Sequence, residues 1–241
     1  MTYREERRIK RNIQRSRNQT RLRRKRRPRL AGILFVLVFV LVMILAARRC
    51  SKDEPGLDRG NLRIKSDKPV LDVQLLSVNE YSRPGIEVDH IDGIVIHYTA
   101  NPGATAQDNR NYFENLAKSQ TTKASSNFIV GLDGEIIQCI PTWEIAYASN
   151  ERNGDTVSIE CCHPDDSGFF TDETYCSLVQ LTAWLCNKYG LTADQVIRHY
   201  DVTGKLCPLY YVEHPEEWQT LKDTIEKRLN ELKAMDLDKA A

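Results

Sequence analysis

The chain has 241 residues, 41% hydrophobic and 28% charged, with a formal net charge of +1. That near-zero sum conceals two opposite parts. Residues 1–29 hold fourteen Lys/Arg against two Glu, about +12, whereas the stretch from Cys50 onward holds eighteen basic residues against thirty-one acidic ones, about −13. Only the N-terminal arm is basic; arginine-rich arms can bind nucleic acid, but the apolar run directly behind this one favours a topology signal, and no nucleic-acid partner is expected.

Residues 30–47, from Leu30 to Ala47, form eighteen uncharged positions rich in Leu, Val, Ile and Phe. At ~1.5 Å per residue they span about 27 Å as a helix, enough to cross a bilayer core. We read them as a single N-terminal transmembrane helix. A cleaved signal peptide is the competing reading, but Ala47-Arg48-Arg49 is a poor small-residue cleavage site. Lipidation of Cys50 is disfavoured by the arginine directly before it. The basic arm then stays cytoplasmic and touches anionic lipid, which leaves the acidic part on the outer side of the cell membrane.

Residues 48–75 read as a stalk: they are polar, broken by Pro55, Gly56, Gly60 and Pro69, and weakly periodic. Residues 76–233 suffice for one domain with a real core, followed by a short tail at 234–241. Of seven cysteines, Cys139, Cys161, Cys162, Cys176 and Cys186 sit in apolar contexts and read as small buried hydrophobes rather than a disulfide framework.

Within the domain, Ile91–Tyr98 is predicted to be a buried central strand. Residues 105–119 form a helix capped by Thr105, with Tyr112, Phe113 and Leu116 on one face. Residues 127–131 and 135–140 pair as a hairpin about Leu132-Asp133-Gly134. Another strand covers 156–162. A long helix follows at 171–189, with Thr171 before it and Gly190 after it. Residues 196–199 are a short strand ending in His199, and 213–233 are a last helix. The expected fold class is α/β, a mixed sheet flanked by helices.

The chemistry concentrates at two places. His97 ends the first strand, and His199 and Cys207 sit eight residues apart in Arg198-His199-Tyr200-Asp201-Val202-Thr203-Gly204-Lys205-Leu206-Cys207-Pro208. A lone strand histidine is ordinarily a satisfied core or surface residue. Two imidazoles and a thiol together are a donor set that suits zinc, with a fourth position left for water. Glu160 lies on an apolar strand where a carboxylate is costly. It reads either as a partly exposed strand glutamate or as a general base. Lys205 reads either as a solvated loop charge or as an oxyanion stabiliser. His163 is a loop histidine near Glu160; ligation by it is the weaker reading.

These stretches, together with Ile94–Ala100, Asn127–Gln138 and Ser158-Ile159-Glu160, resemble the zinc-dependent N-acetylmuramoyl-L-alanine amidases of the type-2 amidase and peptidoglycan recognition protein superfamily. They occur in that family's order and cover roughly residues 85–215. The resemblance implies a zinc-containing groove on one face of the sheet, with His97, His199 and Cys207 as ligands. It implies Glu160 and Lys205 as catalytic groups, Thr99 and Asn127 as substrate-binding residues, and peptidoglycan as substrate. Many members carry a catalytic tyrosine just before the strand that begins Asn127-Phe128; here Ser126 stands there. Other members rely on a glutamate at the position of Glu160. A non-catalytic, membrane-anchored peptidoglycan-binding module is the alternative, which the presence of Cys207 disfavours.

Overall fold

The structure of the protein is a computed structural model and describes residues 68–240. The basic arm, the apolar segment 30–47 and most of the stalk lie outside the described residues. Among the described residues no helix is long and apolar enough to cross a membrane.

Six strands form one sheet: β1 (Asp72–Val73), β2 (Gly93–Tyr98), β3 (Phe128–Val130), β4 (Ile136–Gln138), β5 (Thr156–Cys161) and β6 (Val196–Arg198), in the order β1-β4-β3-β5-β2-β6. Only the β3–β4 hairpin is antiparallel. Its turn contains Gly134 at φ +82°, where a Cβ would lie 2.8 Å from Ser177 Oγ and 2.9 Å from the Glu173 carbonyl. The Asp-Gly pair therefore serves both the turn and the close approach of a helix.

Among the described residues five α-helices accompany the sheet: α1 (Ala106–Ser119), α2 (Asp172–Tyr189), α3 (His199–Thr203), α4 (Leu209–Glu213) and α5 (Pro215–Ala240). Thr105 caps α1 in a reciprocal pairing with Asp108, and Thr171 caps α2, which stops at Gly190 in the left-handed region. Strand parity divides the core. Ile94, Ile96, Val157, Ile159, Phe128 and Val130 pack toward α2 and α5. Ile129 and Ile137 face the other way, against Phe113 and Leu116 of α1.

Three sequence expectations shift. β1 falls inside the segment read as a stalk, so the folded domain begins before residue 76. A two-residue strand with exposed side chains has no periodicity to betray it. His199 is the first residue of α3 rather than the end of β6. The last helix, α5, starts at Pro215 and runs on to Ala240 through the stretch expected as a tail, and a separate short helix, α4, precedes it. No disulfide forms among the described cysteines; all but half-buried Cys176 are buried.

Candidate metal centre

The centre lies at the carboxyl ends of parallel strands, where open α/β sheets place their ligands. His97 in β2 is in register with Glu160 in β5. Register and parity put both side chains on the α1 face, side by side. Neither strand shows that pairing alone, because 60-odd residues separate the two.

Arg198 directs the second half of the centre. Its backbone N–H and guanidinium both donate to Asp201, and its Nη1 donates to the Tyr211 carbonyl at 2.9 Å. This starts α3 at His199 and ties it to α4. The left-handed Gly204 ends α3, and Tyr200 N–H donates to the Cys207 carbonyl at 2.9 Å. The loop thus folds back and delivers Cys207 to the two histidines.

One donor atom from each of His97, His199 and Cys207 lies within 4.8 Å of the others, and all three side chains are buried. Cys207 Sγ is 3.8 Å from His97 Nδ1. His199 Nδ1 is buried with no hydrogen-bond partner, a cost that a bound cation would remove. The outward nitrogens are engaged: His97 Nε2 hydrogen-bonds with Ser149 Oγ at 3.2 Å, and His199 Nε2 with Asn150 Oδ1 at 3.0 Å. A proton on each Nε2 leaves each Nδ1 open as an acceptor, and that of His97 faces Cys207 Sγ. Asn153 Oδ1 accepts from the N–H groups of Ala148 and Ser149, steadying that turn. The residues present therefore fit a cation with mixed nitrogen and sulfur preference.

The electrostatics agree. Burial holds His97 well below the ordinary imidazole value, reinforced by His199 and Lys205, and His199 is lowered by burial and Lys205. Both rings are neutral donors near neutral pH. Burial, with Glu160 nearby, pushes the Cys207 thiol up to about 12, so a metal entering must displace its proton. Burial raises the Glu160 carboxyl to about 8, with Lys205 opposing, and its Oε2 is buried without a partner.

These groups open on a cleft of about 410 Å³ that is also lined by Lys123, Tyr147 and Lys205. A larger groove of about 650 Å³, lined by Trp143 and Trp184, lies by the β1–β4 edge and contains none of the donors.

Some expected site residues lie elsewhere. Asn127 is fully buried. Its amide donates to the Pro141 and Glu144 carbonyls, and its Oδ1 accepts from Ser158. It anchors the 141–147 loop and has no surface to offer a substrate, which corrects the substrate-binding expectation. Thr99 does not line the cleft; its N–H donates to the Cys161 carbonyl, and its Oγ1 is buried without a partner. Ser126 is buried, with its hydroxyl donating to the Phe128 carbonyl. His163 is buried against Tyr98 and bonds the Asp165 carbonyl, outside the donor cluster. Ser149, Asn150, Lys123 and Tyr147 were not singled out from sequence. They sit in loops or, for Asn150, at the start of a single 3-10 turn, where no periodicity marks a contact.

Fold and site together define the class: an α/β domain with three clustered side chains that could hold a metal ion, and a buried carboxylate, opening on one cleft. Comparison with known proteins places it further. The profile of the family described as N-acetylmuramoyl-L-alanine amidase matches residues 87–209, half of the chain, and the chain belongs to that family. It is 34% identical over 166 residues to N-acetylmuramoyl-L-alanine amidase CwlL of Bacillus licheniformis, covering 64% of this chain and 46% of that protein. It is 31% identical over 176 residues to BlyA of Bacillus subtilis (strain 168), with the same coverages. The chain thus spans about half the length of the curated relatives it matches. Among solved structures, a mutant endolysin from Bacillus subtilis superposes with a TM-score of 0.56 at 25% identity, covering 65% of this chain and 99% of that one.

Proposed function

We propose that this chain is a zinc-dependent amidase that hydrolyses the amide between N-acetylmuramic acid and L-alanine in peptidoglycan. The observation that carries the reading is the convergence of His97, His199 and Cys207 beside Glu160 in a cleft of a family member. Held by those three side chains, zinc would supply a Lewis acid and a positive charge that draws Glu160 toward its ionised form.

Glu160 takes a proton from the attacking water and passes it to the leaving nitrogen. Its burial serves that role, because a carboxyl raised toward neutrality exchanges protons in both directions near the working pH. Lys205, on the cleft wall, stabilises the oxyanion that develops at the carbonyl. Ser149 and Asn150 keep the rings of His97 and His199 turned inward. With Ser126 turned to the Phe128 carbonyl, Glu160 carries the proton transfer without a phenol at that position.

Digestion of purified peptidoglycan tests the bond. Stem peptides with a new free L-alanine amino terminus are expected by mass spectrometry, together with glycan strands whose lactyl carboxyls are free. New reducing ends without free L-alanine termini would show glycan cleavage, which needs two carboxylates flanking a sugar, and would refute the reading.

We also propose that residues 30–47 anchor the chain in the cell membrane with the domain on the wall side. Support comes from the uncharged eighteen-residue run behind fourteen basic residues. Protease added to intact protoplasts should remove the domain and leave a short membrane stub. Survival of the domain until lysis would reverse the orientation.

A further inference from the structure

Among the described residues the arginines of this acidic domain are tied up in ion pairs, whereas several of its lysines are not. Arg83, Arg110, Arg152, Arg198, Lys222 and Arg228 are all paired with carboxylates. Lys123 and Lys205 have no ion-pair partner among the described residues, and both line the metal cleft. Lys205 is already accounted for by the oxyanion. Lys123, 37 positions before Glu160 in the chain, is not.

Lys123 is exposed, yet its ammonium lies 5.4 Å from the centroid of the Tyr147 ring. The ring face attracts the cation and narrows its range, so less side-chain entropy is lost when a ligand arrives. Tyr147 is itself fixed. Its N–H donates to Ser125 Oγ at 2.9 Å, and its carbonyl accepts from Ser125 N–H at 3.1 Å. Two and three residues further on, Ser149 and Asn150 hold the metal-centre histidines. Lys123, Tyr147 and the donors therefore share one loop framework. Glu160 is the one carboxylate among the cleft-lining residues, so Lys123 has little competition there.

We propose that Lys123 and Tyr147 form a subsite that reads a carboxylate of the substrate's stem peptide, with the lysine as the charge and the ring as its platform. The inference rests on the amidase reading for the identity of the ligand. The chemistry favours the peptide over the glycan. N-acetylated sugars joined through their lactyl groups to peptide are uncharged, whereas stem peptides carry free carboxylates. The apolar ring face also suits the aliphatic part of a peptide.

The test uses the full chain loaded with zinc and carrying Glu160→Gln, so that ligand persists. Binding is measured for N-acetylmuramoyl peptide pairs identical except that one stem carboxylate is a carboxamide. With Lys123 present the carboxylate form is expected to bind about three- to tenfold more tightly at low salt, the range for a partly screened charge-assisted contact. That ratio should shrink as salt rises. Lys123→Met should collapse it toward one, and Lys123→Arg should keep it. A ratio near one with Lys123 in place, or unchanged in Lys123→Met, overturns the subsite. Hydrolysis of the same peptides by the Glu160 chain is a separate measurement. A carboxylate preference abolished by Lys123→Met, with no hydrolysis, would uphold the subsite and refute the amidase reading.

Discussion

Glu160→Gln is expected to lower peptidoglycan hydrolysis by about 10²–10⁴-fold, the usual contribution of a positioned general base. Glutamine has the same shape, but its amide takes up no proton at working pH. The fold should tolerate it, because Glu160 Oε2 has no partner to lose. Zinc content should stay at the wild-type level, since the donors are other side chains. Hydrolysis within a few-fold of wild type would show that some other group carries the proton.

A stability measurement on metal-free protein checks the environment of the same group. Burial raises the Glu160 carboxyl from 4.5 to about 8 in the folded chain. A raised carboxyl favours the fold while protonated, and that contribution is lost as pH rises from about 4.5 through about 8. Glutamine stays neutral throughout. Metal-free Glu160→Gln should therefore gain thermal stability over metal-free wild type across that range, with the margin largest at and above pH 8. A margin independent of pH would show that the carboxylate is solvated.

Cys207→Ala is expected to bring the larger loss of metal. It removes a donor and the negative charge that a metal-bound thiolate supplies, while the buried alanine leaves only a small void. Zinc per chain, read by elemental analysis after dialysis, should fall to a small fraction of one. Asn150→Ala and Ser149→Ala should show an intermediate effect, about 10–100-fold in zinc affinity by chelator competition, because each frees one histidine ring without deleting it. Asn150→Asp retains an acceptor for His199 Nε2 and should recover most of the affinity. Wild-type zinc in Cys207→Ala would remove that residue from the ligand set. Asn150→Asp as weak as Asn150→Ala would show that the hydrogen bond does not orient the ring.

Local signals marked much of this protein. An unbroken apolar run ending in His97 announced a central strand with a polar side chain at its carboxyl end. Asp133-Gly134 announced the hairpin, and Thr105, Thr171 and Gly190 announced helix ends. Each of these is written within a few residues, because turn angles, caps and burial period depend on neighbours in the chain. The donor set was legible for a related reason: few residue types bind zinc, and Lys205 and Cys207 lie close to His199 in sequence. Tertiary structure alone decided the rest. The pairing of His97 with Glu160 depends on the register of two parallel strands, which packing sets and spacing does not. Asn127 was withdrawn from the cleft because its amide was the partner available to the buried Pro141 and Glu144 carbonyls and to Ser158. Ser149 and Asn150 on the two imidazoles, and Lys123 over Tyr147, are meetings of loops remote in sequence. A loop carries no period, so which of its polar side chains meets a partner is determined only when the sheet brings the loop ends together.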